Sequence, residues 1–224
     1  MLAIASPTPV NITEVLQWSC LLDEYGVAGY GWGIVWTDGS TIHRYRSVDG
    51  IRQDGTAPRA LQNLTMTRGY VHLRRPSLMT TIGYVNAQPY ITPENDWAFA
   101  HNGYLERHQE FRAQYQNRLQ GTSDSEVGFH YWLDRVTEGN SVTQSLAATH
   151  QALGGKANLM ALRANGELAV YAGNEENLVY RFRLGAVQLA STSLHSHDLF
   201  LFDTVFPGAN DIERLAPGTA IFMP

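Results

Sequence analysis

The chain has 224 residues, 44% hydrophobic and 17% charged, which suits one well-buried globular domain over residues 1–224. Twenty-one acidic against 16 basic residues leave a net charge of −5, and no Lys/Arg run marks a phosphate-backbone footprint, which argues against a nucleic-acid partner. The single cysteine, Cys20, excludes an internal disulfide, no apolar run approaches the ~18 residues of a membrane helix, and no secretion signal opens the chain, so a soluble, cytoplasmic protein is expected.

In chain order, residues 1–6 ("MLAIAS") read as a buried strand closed by Pro7 and Pro9. A helix follows to Gly26, with Asn11 and Glu14 spaced as a capping box and Ile12, Val15, Leu16 and Leu22 at helical period. Two β-rich runs flank Asp38-Gly39 within residues 29–47 and predict a hairpin. Residues 69–75 and 97–101 read as further strands, and residues 104–119, 124–138 and 142–154 as helices. The last third is strand-rich again: "NLMALRANGELAVYA" turns at Asn165-Gly166, "LVYRFRL" and "VQLASTS" follow, and "APGTAIFM" adds a closing strand. Strands at both ends with helices between, and no regular βαβ alternation, predict an α+β fold of stacked, mostly antiparallel sheets.

Four stretches carry candidate chemistry. The apolar run of residues 98–106 breaks at Asn102-Gly103, which reads either as a tight turn or as an amide and a bare backbone N–H at a strand end, converging on a carbonyl oxygen that gains charge. In "GYVHLRRPS" strand alternation puts Tyr70, His72 and Arg74 on one face and Val71, Leu73 and Arg75 on the other, so only Arg74 shares a pocket with His72. That guanidinium is either solvated or a bidentate carboxylate clamp. Ser123 and Glu126 make a second capping box, and Asp124 between them either complements the helix dipole or binds an ammonium group. His195 and His197 share a strand face as metal ligands do, but no third ligand is identifiable, and neither a metal nor a cofactor is expected. His101, His108, His130 and His150 read as solvated or hydrogen-bonded side chains.

The order of these pieces, Gly31-Trp32-Gly33, His72-Leu73-Arg74, Asn86-Ala87-Gln88-Pro89, His101-Asn102-Gly103 and Ser123-Asp124-Ser125-Glu126, resembles the class II glutamine amidotransferases of the N-terminal-nucleophile hydrolase family, and most of all their small stand-alone members. The resemblance runs over the whole chain and implies a four-layer αββα sandwich. It also implies residue roles: Arg74 on the α-carboxylate of glutamine, Asp124 on its α-ammonium, Asn102 and Gly103 as the oxyanion hole, with His72 in the substrate pocket and Asn86 supporting it. Two positions depart from the family pattern, Gln88 where histidine is usual and Tyr30 where aspartate is expected.

The family's defining residue is a cysteine at the mature N-terminus, whose thiol attacks the γ-amide while the α-amino group manages the proton. This chain opens Met1-Leu2-Ala3-Ile4, with no such nucleophile, and as written it is expected to be inactive. Three explanations compete: a start lost upstream of Met1, a catalytically inactive glutamine-binding or regulatory homologue, or Cys20 as a displaced nucleophile. The resemblance favours the first, which makes the complete product an amidohydrolase cleaving glutamine or another γ-glutamyl amide, with any released ammonia used by a separate synthase. The remaining alternative is a metal-dependent hydrolase using His195 and His197.

Overall fold

The computed structural model describes residues 1–26, 28–192 and 199–224. The first strand, β1 (Leu2–Asn11), is longer than its apolar run, because the chain bulges at the prolines and rejoins the ladder at Val10 and Asn11. Asn11 is therefore paired with Thr65 and its side chain makes no cap on the helix α1 (Ile12–Glu24), which corrects the expected capping box. The hairpin β2 (Trp32–Thr37) and β3 (Ile42–Ser47) turns as predicted at Asp38, whose carboxylate accepts from the Ser40 and Thr41 N–H groups at 2.9 and 3.0 Å. A short helix α2 (Ala57–Leu61) that the sequence reading missed leads into β4 (Thr65–Leu73), which stops one residue before Arg74.

Beyond it lie β5 (Tyr90–Ile91), only two residues long, and β6 (Trp97–Tyr104). The latter strand does not end at His101 as expected. Asn102 and Gly103 stay in register with Asn158 and Ala157, so the Asn-Gly pair lies inside a ladder and is not a turn. Three helices follow, α3 (His108–Tyr115), shorter than predicted, α4 (Asp124–Thr137) and α5 (Val142–Leu153). Then come β7 (Lys156–Arg163), β8 (Leu168–Ala172), β9 (Val179–Leu184), β10 (Val187–Thr192), the helix α6 (Leu199–Val205), and β11 (Asn210–Arg214) and β12 (Thr219–Met223).

The strands form two antiparallel sheets, one of seven in the order β11-β9-β10-β1-β4-β2-β3 and one of five in the order β12-β8-β7-β6-β5. Strand alternation sorts the side chains into three apolar layers. Between the sheets, Met1, Ala3, Ala5 and Tyr70 face Ala98, Ala100, Met160 and Val170, and the many alanines let the sheets approach closely. On the outer side of the larger sheet, Leu2, Ile4 and Ile34 pack under Val15, Trp18, Leu22, Phe202 and Phe206 from α1 and the α6 region. On the outer side of the smaller sheet, the fully buried Trp132 of α4 stacks on Phe99 at 5.5 Å and meets Trp97 edge-on at 5.4 Å. The result is the expected four-layer αββα sandwich. At one end of it the C-terminal parts of β4 and β6 come together, where the His72 Nε2 meets the His101 carbonyl.

Candidate active site

One recess at that end is lined by His72, Arg74, Asn86, Asn102, Gly103 and Asp124, all six of the candidate residues, together with Thr81, Gln88, His101 and Ser125. Its free volume is about 40 Å³, room for a water or two and not for an amino acid. Cys20 and Tyr30 do not line it. Cys20 packs from α1 against the outer apolar cluster, where burial and the nearby Asp23 push its thiol pKa up. Tyr30 is 40% exposed and reaches the site only through its backbone N–H, which donates to the Arg74 carbonyl at 3.2 Å.

The cationic wall is Arg74. Its backbone N–H continues the strand direction past the end of β4 by donating to the Gly31 carbonyl at 2.9 Å. Arg74 is 5% exposed, and its Nη2 donates to the carbonyl and hydroxyl of Thr81 at 2.7 and 2.9 Å. Burial lowers its pKa, while Tyr90 and Asp124 act in the opposite sense.

The anionic wall is Asp124, the first residue of α4. Its Oδ2 accepts from the Leu105 N–H at 2.9 Å, which fixes the carboxylate beside the end of β6. The expected capping box is half formed: the Ser123 hydroxyl accepts from the Glu126 N–H at 3.3 Å, but Glu126 turns away to accept from the Gln120 and Gly121 N–H groups at 2.7 and 2.8 Å. Asn86 takes its place, because its Oδ1 accepts from the Thr122 and Ser123 N–H groups at 2.8 and 3.1 Å. Asn86 thus braces the loop that delivers Asp124.

Gln88, noted in the sequence only as a departure from a pattern, sits at the centre of a buried polar network. Its Oε1 accepts from the His101 N–H at 2.6 Å and its Nε2 donates to the Ser125 hydroxyl at 3.0 Å. The His101 Nδ1 lies 2.9 Å from the same hydroxyl, which in turn lies 3.4 Å from the Asp124 Oδ1. The proton inventory closes when His101 carries its hydrogen on Nδ1, so that Ser125 accepts twice and donates once. His72 Nε2 lies 3.0 Å from the His101 carbonyl and must carry the hydrogen there, tying the two sheets together. Burial holds the imidazoles of both His72 and His101 below their ordinary pKa, so both are neutral at pH 7. Sequence reading has His101 as a solvated or hydrogen-bonded side chain, and it is hydrogen-bonded; it gives Ser125 no part in the site, although Ser125 is adjacent to a residue it selects.

Two glycines make this arrangement possible. Gly103 has φ 122°, and a Cβ on it would lie 1.9 Å from the Lys156 carbonyl oxygen of β7. A Cβ on Gly33 would lie 2.4 Å from the Gln88 carbonyl, so β2 is bare where the Gln88 loop crosses it. Beside Gly103, the Asn102 Oδ1 accepts from the Asn177 Nδ2 at 2.8 Å.

Among the described residues no group of three or more His, Cys, Asp and Glu is placed to hold a metal ion, and His195 and His197 lie outside the described residues. Nor is any helix among them long and apolar enough to cross a membrane.

A guanidinium, a carboxylate, a side-chain amide and a glycine thus line one recess at one end of an αββα sandwich. A family model for glutamine amidotransferases class-II matches residues 1–199, and the chain belongs to that family. The fold is similar to that of the glutamine phosphoribosylpyrophosphate amidotransferase from B. subtilis, with TM-score 0.77 and 20% identity over 99% of this chain and 46% of that one. It is similar also to a glutamine aminotransferase class-II domain protein from Silicibacter pomeroyi, with TM-score 0.62 and 19% identity over 98% and 92% of the two chains. A predicted glutamine amidotransferase from Pseudomonas aeruginosa gives TM-score 0.58 and 15% identity over 99% and 95%. No curated protein sequence matches this chain. The chain spans less than half the length of the B. subtilis enzyme.

Proposed function

We propose that the recess binds glutamine, or a related γ-glutamyl amide, and that it is the amide-cleaving site of an amidotransferase or amidohydrolase. What carries the reading is that Arg74, Asp124, Asn102 and Gly103 line one recess. The Arg74 guanidinium suits an α-carboxylate and the Asp124 carboxylate an α-ammonium. With the head group held between them, the γ-carbonyl is directed to Asn102 and the Gly103 N–H, donors for the negative charge of a tetrahedral intermediate. Because the recess is nearly closed, glutamine binding requires Thr81 to release Arg74 and the segment around it to move outward.

The reaction proceeds by attack of a cysteine thiolate on the γ-carbon. Collapse of the tetrahedral intermediate expels ammonia, protonated at the moment of departure, and leaves a γ-glutamyl thioester that water hydrolyses to glutamate. We place that cysteine ahead of Met1, on the strand that β1 continues. Met1, Ala3 and Ala5 all face the space between the sheets, and the Met1 amine is buried there, donating to the Thr192 hydroxyl at 2.8 Å. A residue two positions earlier in the same strand would face the same space. Ammonia is then used by an acceptor site outside residues 1–224, for which a separate synthase is the natural candidate.

The test has two stages. Residues 1–224 are titrated calorimetrically with glutamine, and saturable binding that Asp124→Ala abolishes is expected; no binding by the parent chain overturns the reading. The protein is then isolated from its native host, weighed intact and assayed for ammonia release. Binding without turnover in a protein that carries a cysteine ahead of Met1 would make it a glutamine sensor.

A further inference from the structure

Asn102 stands on the wall between the recess and a second, outer groove, which is lined by Arg75, Tyr104, Lys156, Asn174, Glu176 and Asn177. What reaches Asn102 from that side is a chain of asparagines. Asn158, its register partner across the β6–β7 ladder, is fully buried, a costly place for a carboxamide unless every polar atom is satisfied. Its Oδ1 accepts from the Gly173 and Asn174 N–H groups at 3.0 and 3.1 Å, and its Nδ2 donates to the Asn177 carbonyl at 2.6 Å. Asn174 in turn accepts from the Asn177 N–H at 3.3 Å. The backbone of Asn177 is thereby held at both its N–H and its carbonyl, and its side chain meets Asn102.

The geometry points to Asn177 as a positioning residue that sets which way the Asn102 carboxamide faces. An amide whose oxygen is engaged by a donor on one side presents its NH₂ on the other. With its oxygen turned to Asn177, Asn102 offers two N–H bonds to the recess and no lone pair, which is what a developing oxyanion needs and what a freely rotating asparagine would provide only part of the time. Asn158 contributes indirectly, by fixing the loop that carries Asn177. The inference rests on the proposed reading of Asn102 as an oxyanion donor.

The test is a double-mutant cycle on residues 1–224, read by calorimetry with two ligands: glutamine, and an analogue in which an anionic, tetrahedral phosphonate replaces the carboxamide. Asn177→Leu keeps the shape and removes the donor. It is expected to weaken the phosphonate, relative to glutamine, by roughly tenfold, the scale of one hydrogen bond to a charged group. In an Asn102→Ala background the same substitution is expected to change that ratio little. Asn177→Ser, which keeps a donor, is expected to retain more of the parent preference and serves if the leucine variant does not fold. An equal loss in both backgrounds, or no loss in the parent, overturns the positioning role. If Asn102→Ala itself leaves the phosphonate affinity intact while glutamine still binds, the oxyanion assignment falls instead, and glutamine recognition by Arg74 and Asp124 stands.

Discussion

Gln88 and Ser125 are joined directly: the Gln88 Nε2 donates to the Ser125 Oγ at 3.0 Å, so the loop ahead of β5 and the first turn of α4 are one polar unit. Gln88 also accepts from the His101 N–H, so its truncation leaves that buried N–H without a partner, while the Ser125 hydroxyl keeps His101 and Asp124. Gln88→Ala is expected to lower the unfolding free energy by about 1–3 kcal/mol, the cost of one orphaned buried group. Urea denaturation measures this, and a loss below about 1 kcal/mol would mean that water replaces the amide.

Asp124 has a structural partner, the Leu105 N–H, and a proposed ligand partner, and one substitution separates them. Asp124→Asn keeps an oxygen for the N–H and loses the charge that an ammonium would meet. The expected result is stability within about 1 kcal/mol of the parent and glutamine affinity weaker by about 1.5–3 kcal/mol, the range for hydrogen bonds to charged groups. Parallel calorimetry and urea unfolding separate the two quantities. Unchanged glutamine affinity would remove Asp124 from the ammonium site.

How much of this was legible in the sequence depended on whether local signals or distant partners decided the outcome. The hairpin at Asp38-Gly39 and the helices α4 and α5 were readable because period and turn chemistry agree there. The cap at Asn11 was misread because β4 captures that residue into the sheet, and Asn102-Gly103 looked like a strand end because β7, which holds it in register, is more than fifty residues away in sequence. The weak segments α2, β5 and β11 lack periodicity of their own and are defined by what they pack or pair with. Of the site, Arg74, Asp124 and Asn102 could be picked by chemical type. Ser125 and His101 could not, since a serine inside a helix's first turn and a histidine inside a strand gain meaning only once Gln88 stands between them. Asn158 and Asn177 carried no signal, their connection to Asn102 existing only across the sheet.

Gly103 is required by β7 as much as by any ligand. A methyl group there would lie 1.9 Å from the Lys156 carbonyl oxygen, on a backbone at φ 122° that side-chain-bearing residues avoid. Gly103→Ala must therefore part β6 from β7 at their ends or rotate the residue out of the ladder. An unfolding free energy lower by at least about 1–3 kcal/mol is expected from the backbone strain alone. Glutamine binding should weaken with it, because Asn102 is the preceding residue. A variant as stable as the parent would show that the ladder ends before Gly103 in solution.

Acid should destabilise the fold well above the range in which most carboxylates protonate. Burial, with the nearby Arg118 adding to it, lowers the pKa of His130 from 6.5 to about 4, and burial lowers those of His72 and His101 as well. A histidine whose folded pKa lies below its unfolded value takes up protons in the unfolded chain first. Between pH 4 and 6.5 the unfolded state therefore binds more protons than the folded state, and stability rises with pH across that window. On acidification the stability is lost progressively below pH 6.5, and the contribution of His130 levels off near pH 4, where the folded protein also protonates it. His130 stacks against Tyr115 at 5.8 Å and its Nδ1 is buried without a partner, so a neutral side chain there removes a proton-linked penalty without breaking a hydrogen bond at that nitrogen. His130→Gln is expected to flatten the dependence of the urea midpoint on pH over this window, leaving the smaller slope that His72 and His101 supply. Parallel profiles for the two proteins would show that His130 titrates normally in the folded state, and that the acid lability belongs to the two imidazoles between the sheets.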